Sequence, residues 1–125
     1  MMKKRGIMML IFSTKLLLAE SFFIFDKVYE FSSFNDVLVS NCQKKCEAKK
    51  KLSALKKVNL KKFTTKEAFA NSPGSDVCRF VFQGESLMGQ AQNRDRRAFC
   101  VFKDLSLIDI NSLTLYLEEK KLLAP

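Results

Sequence analysis

The chain has 125 residues, with 22 basic against 13 acidic side chains, four cysteines and no histidine, for a net charge of +9. Without histidine, imidazole general-base catalysis, Ser-His-Asp triads and histidine-ligated metals are excluded. Its four glycines, Gly6, Gly74, Gly84 and Gly89, stand in neither a G-x-G-x-x-G nor a G-K-[ST] context, so no phosphate-cradling loop is present.

The start reads as a bacterial export signal. A basic cluster, Lys3-Lys4-Arg5, is followed by the apolar Ile7-Met8-Met9-Leu10-Ile11-Phe12 and Leu16-Leu17-Leu18. Ala19 and Ser21 are small residues at the spacing a signal peptidase accepts, which sets the expected cleavage after Ser21. The alternative is an uncleaved inner-membrane anchor over Ile7 to Phe25. It would bury Lys15 and Glu20 near mid-bilayer at about 2.5 to 3.5 kcal/mol each. Removing residues 1–21 leaves 104 of the 125, one small domain in which disulfides matter to stability. Export makes the protein periplasmic or secreted, an oxidising setting in which cysteines pair.

Residues 22–70 divide into a Phe-rich stretch without a clean period (Phe22, Phe23, Phe25, Tyr29, Phe31, Phe34) and a basic helical region. Asn41 is positioned to cap a helix from about Cys42 to Lys57, with Ala48, Leu52 and Leu55 as a narrow apolar stripe. Between Lys44 and Lys66 ten lysines face the single acid Glu47. Thr64-Thr65-Lys66-Glu67 offers a capping box for a short helical turn through Ala70.

Residues 71–125 are better punctuated. Ser72 as N-cap and Pro73 at the first helical position start a helix with Val77, Cys78, Val81 and Phe82 on one face. Glu85 to Gln90 and Arg96 to Phe102 read as strands around a polar turn, with Ala98, Cys100 and Phe102 on one side of the second. Leu107 to Ile110 is a candidate third strand, with Asp109 on its solvent side. Asn111 or Ser112 then caps a helix whose Leu113, Tyr116 and Leu117 share a face. The expected fold is therefore α+β: a small disulfide-stapled domain with a helix packed on a short antiparallel sheet, preceded by a basic helix.

Four cysteines allow three pairings. Cys78 with Cys100 would staple the Ser72 helix to the hairpin, leaving Cys42 with Cys46. Cys42-Gln43-Lys44-Lys45-Cys46 also reads as a redox dithiol, since lysines lower a thiol pKa. Thiol oxidoreductases, however, carry two intervening residues at a strand-to-helix junction, not three. A four-cysteine zinc site would need paired ligands on both sides, and Cys78 and Cys100 are 22 apart. No metal or other cofactor is expected. Asp104 and Asp109 make only a weak carboxylate pair, and the chain reads as non-enzymatic.

Two stretches, Pro73-Gly74-Ser75-Asp76-Val77-Cys78 and Cys100-Val101-Phe102-Lys103-Asp104-Leu105-Ser106, carry a resemblance. They are similar to a haemolysin-labelled family of small bacterial exported domains of unknown function, with the pattern N-P-[AG]-S-x-x-C then C-x-F-x-D-G-S. The likeness covers about residues 71–112. Ser72 replaces the family asparagine, Leu105 replaces the turn glycine, and a later family cysteine has no counterpart. The resemblance implies an exported domain with a helix-to-strand disulfide between Cys78 and Cys100, and no activity.

The functional expectation is a binding or accessory protein of the bacterial cell envelope. Its candidate contact surface is Lys44, Lys45, Lys49, Lys50, Lys51, Lys56 and Lys57. An exported basic surface suits an anionic envelope polymer, lipid headgroups or an acidic protein, and disfavours nucleic acid, because only Phe63 could stack within the lysine run. The alternative is a periplasmic thiol-redox protein using Cys42 and Cys46.

Overall fold

The computed structural model describes residues 20–57 (the side chain of Lys56 excepted), 60 and 72–120. The expected signal core at residues 1–19 and the capping box at 64–67 lie outside the described residues.

Six strands close an antiparallel barrel. They are β1 (Glu20–Ile24), β2 (Lys27–Phe34), β3 (Val37–Ser40), β4 (Glu85–Ala91), β5 (Arg96–Val101) and β6 (Leu107–Asp109), in the order β1-β2-β3-β6-β5-β4. This corrects the expected helix on a short sheet: strands from both ends of the chain complete one barrel, whose seam is Phe22 opposite Ala91 and Phe23 opposite Gln90. The expected boundary at residue 70 falls outside the described residues, and barrel strands lie on both sides of it.

The Phe-rich stretch is β1, β2 and β3, linked by two-residue turns at Phe25-Asp26 and Asn35-Asp36. All four turn residues have positive φ, between 52° and 67°, the pattern of type I′ hairpins whose twist matches that of the strands. Alternation was hidden because apolar residues occupy both faces. Phe22, Ile24 and Phe31 point inward, while Phe23 and Val28 pair across the exposed outer wall. Inside the barrel, the rings of Phe22, Phe31 and Phe99 pack with centroids 5.0 to 5.3 Å apart. Leu107 joins them, so the interior is a filled core and not a lumen. Gly89 of β4 is required at this seam, since a Cβ there would lie 2.7 Å from Ile24 and 2.8 Å from Phe99.

Among the described residues, three helices clad the outer faces of β3, β5 and β6. These are α1 (Glu47–Ala54, with a 3-10 turn Leu55–Lys57), α2 (Pro73–Asp76, continued by a π-helical turn Val77–Val81) and α3 (Ile110–Glu119). A second core forms there from Val37, Val39 and Ile108 of the wall against Ala48, Leu52, Leu55, Val77, Leu113 and Leu117. The expected stripe Ala48, Leu52 and Leu55 is buried. Ser72 caps α2, accepting from the Ser75 amide, with Pro73 opening the helix. Helix α3 starts earlier than expected. Its N-cap is Asp109, which accepts from the Ser112 amide at 3.0 Å.

Asp109 also corrects its expected solvent placement. It is fully buried at the end of β6, where Arg97 forks onto it with Nη2 at 2.8 Å and Nε at 3.4 Å. The guanidinium in turn lies 5.2 Å from the Phe22 ring centroid. An inward carboxylate at this strand position is tolerable because the Arg97 guanidinium and the Ser112 amide both donate to it, while the Phe22 ring face receives the guanidinium.

Candidate functional site

The four cysteines form two bonds, Cys42–Cys46 and Cys78–Cys100, with Cα separations of 6.1 and 5.7 Å. The second joins the α2 segment to β5, as the sequence suggested. The first does not lie on one helical face. Cys42 sits in the loop after β3, and Cys46 is the N-cap of α1, in extended conformation. Asn41 is therefore not the cap. Its amide donates to the Glu30 carbonyl, and its side chain accepts from Ser32. The bond ties off a tight turn in which the Cys46 amide donates to Gln43, so the helix starts only at Glu47.

The first amides of α1 find partners far away in sequence. Asp104 Oδ2 accepts from the Glu47 amide at 2.9 Å, and Ser106 Oγ accepts from the Ala48 amide at 3.0 Å. Asp104 Oδ1 is in turn donated to by the Ser106 amide and hydroxyl. The β5–β6 loop thus supplies the cap that Cys46 cannot, satisfying two orphan donors of the basic helix and placing a carboxylate at its positive end. Partial burial pushes the Asp104 carboxyl up. The hydrogen bonds from Glu47 and Ser106 outweigh it and hold the group below its ordinary range.

A cysteine at a helix N-terminus gains thiolate character from free amides. Here the Glu47 and Ala48 amides are taken by Asp104 and Ser106. All four cysteines are bonded. Of the two aspartates considered as a carboxylate pair, Asp104 is engaged with α1 and Asp109 with Arg97 and α3.

The lysines are unevenly deployed. Lys44, Lys45, Lys50 and Lys57 are exposed, and Lys49 and Lys51 are half-buried. The side chain of Lys56 lies outside the described residues. Lys49 is used internally, donating from Nζ to the Cys42 carbonyl at 2.9 Å and lying 5.6 Å from the Phe34 ring centroid. Lys45, Lys50 and Lys51 instead line a groove of about 760 Å³ between α1 and the β5–β6 loop. There they meet Lys103, which sequence reasoning passed over because it stands 37 positions from the end of the lysine run at Lys66. The groove also holds Phe82 and Phe102, whose rings lie 6.3 Å apart, together with Phe25 and Leu105. Glu47, Glu85 and Asp104 are its acids. With Lys44 and Lys57 exposed on the same segment, the balance of this region is positive.

Comparison with known proteins leaves this geometry to be read by itself: no family model, no curated protein and no solved structure matches the chain.

Proposed function

We propose that the protein is an extracytoplasmic, non-enzymatic binding or accessory module of the bacterial cell envelope, and that it engages an anionic partner through the lysines of α1. One observation carries this reading. Lys45 of the turn before α1, Lys50 and Lys51 of α1 and Lys103 of the β5–β6 loop are brought around a single groove, and the Asp104 cap locks the two segments together. Two disulfides suit a non-reducing, extracytoplasmic compartment, and among the described residues no helix is long and apolar enough to cross a membrane. Export by a signal peptide over residues 1–21 belongs to the same proposal. Cleavage after Ser21 would leave Phe22 and Ile24, the inward residues of β1, in the mature chain. The likeness to the haemolysin-labelled exported family belongs to it as well. Its Asp104 and Ser106 act here as the cap of α1, a structural role that supplies no activity.

The test is binding of the purified protein to a soluble polyanion, such as polyglutamate, over a salt series. Affinity should fall steeply as ionic strength rises to about 0.15 M, where exposed charges are screened beyond about 8 Å. Replacing Lys45, Lys50, Lys51 and Lys103 together by glutamine should remove it. Binding that ignores salt, or that survives the four substitutions, would overturn the reading.

A further inference from the structure

The groove has a second property that charge does not explain. Phe25 and Leu105 both line it, both occupy tight turns, and both hold left-handed backbone conformations, with φ of 55° and 67°. That region favours glycine, asparagine and aspartate, and a bulky side chain there is an outlier that costs free energy. Neither side chain recovers the cost by burial, for Phe25 is 50% and Leu105 56% exposed. Tyr29 lies edge-on to Phe25, at 6.5 Å between centroids. Two strained turns thus each present a large apolar group to water, beside the same four lysines. Folding does not require either residue, because glycine or asparagine would fit both turns better.

We infer that this face is a membrane-docking surface, in which Phe25 and Leu105 insert into the interface of a bilayer carrying anionic phospholipid while Lys45, Lys50, Lys51 and Lys103 meet its headgroups. The inference rests on the anionic-partner reading and names the partner. Apolar loop tips flanked by lysines combine the two contributions that bind a protein to a membrane surface without spanning it: burial of apolar area at the acyl boundary, and attraction to anionic headgroups. A soluble acidic peptide would satisfy the lysines but would leave two exposed, strained apolar residues without a purpose. The four lysines outnumber the groove's three acids, Glu47, Glu85 and Asp104, by one, and Lys44 and Lys57, exposed on the same chain segment, add two more positive charges.

The experiment is co-sedimentation with phosphatidylcholine vesicles containing increasing phosphatidylglycerol, run beside polyglutamate binding, for wild type, Phe25→Asn, Leu105→Gly and the double variant. Wild type should partition onto phosphatidylglycerol vesicles in a salt-dependent way, and the double variant should partition at least tenfold more weakly while binding polyglutamate as wild type does. The single variants should unfold at or above the wild-type midpoint, because each relieves a strained turn, and this excludes misfolding as the cause of lost partitioning. Vesicle binding undiminished in the double variant would overturn the insertion and leave the charge-based reading standing. Binding to polyglutamate without any to vesicles would do the same. Binding to neither would overturn both.

Discussion

Replacing Asp104 by alanine isolates the contact that joins the basic helix to the barrel. Three hydrogen bonds go with it, from the Glu47 amide at 2.9 Å, the Ser106 amide at 3.0 Å and the Ser106 hydroxyl at 2.6 Å. Loss of a helix cap costs about 1 kcal/mol, and bonds to an ionised acceptor add more. The carboxylate is exposed, so solvent screening keeps the sum to about 2 kcal/mol, or roughly 10 °C in Tm for a domain of this size. The folded pKa is depressed, so this stability is fully present above the ordinary carboxylate value of about 3.9 and is lost as pH falls through the folded value. Urea unfolding of wild type and Asp104→Ala from neutral to acid pH should therefore give curves about 2 kcal/mol apart at pH 7 that converge in acid. Hydrogen exchange should localise the loss, with the Glu47 and Ala48 amides of α1 losing protection before those of β5. A variant as stable as wild type at neutral pH, or a gap that persists unchanged in acid, would refute the capping role.

Replacing Cys78 and Cys100 together by alanine opens a closed loop spanning 22 positions and should cost about 3 kcal/mol, read as a lower urea midpoint. Asp109→Ala should be more damaging than Arg97→Met. It strips α3 of its cap and leaves the guanidinium unpaired at the barrel end, an expected loss of about 3 kcal/mol by thermal unfolding, and the double substitution should recover part of it. Gly89→Ala should destabilise by about 1 to 3 kcal/mol, because the new methyl group meets Ile24, Phe99 and the Phe23 carbonyl at the barrel seam. An unaltered midpoint would show that β1 and β4 can separate there without consequence.

Several elements were legible because their causes are local. Ser72 and Pro73 start a helix by satisfying or lacking amides within one turn, and Ala48, Leu52 and Leu55 declare a buried side by spacing alone. The strands β4 and β5 carry their own alternation and polar turn. The hairpin at Phe25-Asp26 escaped notice because a phenylalanine occupies a position where asparagine, aspartate or glycine is usual, and both it and the hairpin at Asn35-Asp36 because outward residues such as Phe23 and Val28 blur the period of two. The unusual turn residue that concealed the first hairpin is also part of the candidate membrane contact.

By itself the sequence determined the start of α2 at Ser72 and Pro73, the lysine-rich character of α1 and the exclusion of histidine chemistry, and it favoured the pairing of Cys78 with Cys100 among three. Only the tertiary structure decided that β1 closes on β4, that Asp109 points into the barrel, that Asp104 and Ser106 cap a helix 57 and 58 residues earlier in the chain, and that Lys103 joins the lysines of α1. The physical reason is the range over which each is fixed. A cap or a stripe depends on residues within a turn or two, whereas barrel closure and a borrowed cap depend on which distant segments share one core, and the spacing of residues along the chain does not record that.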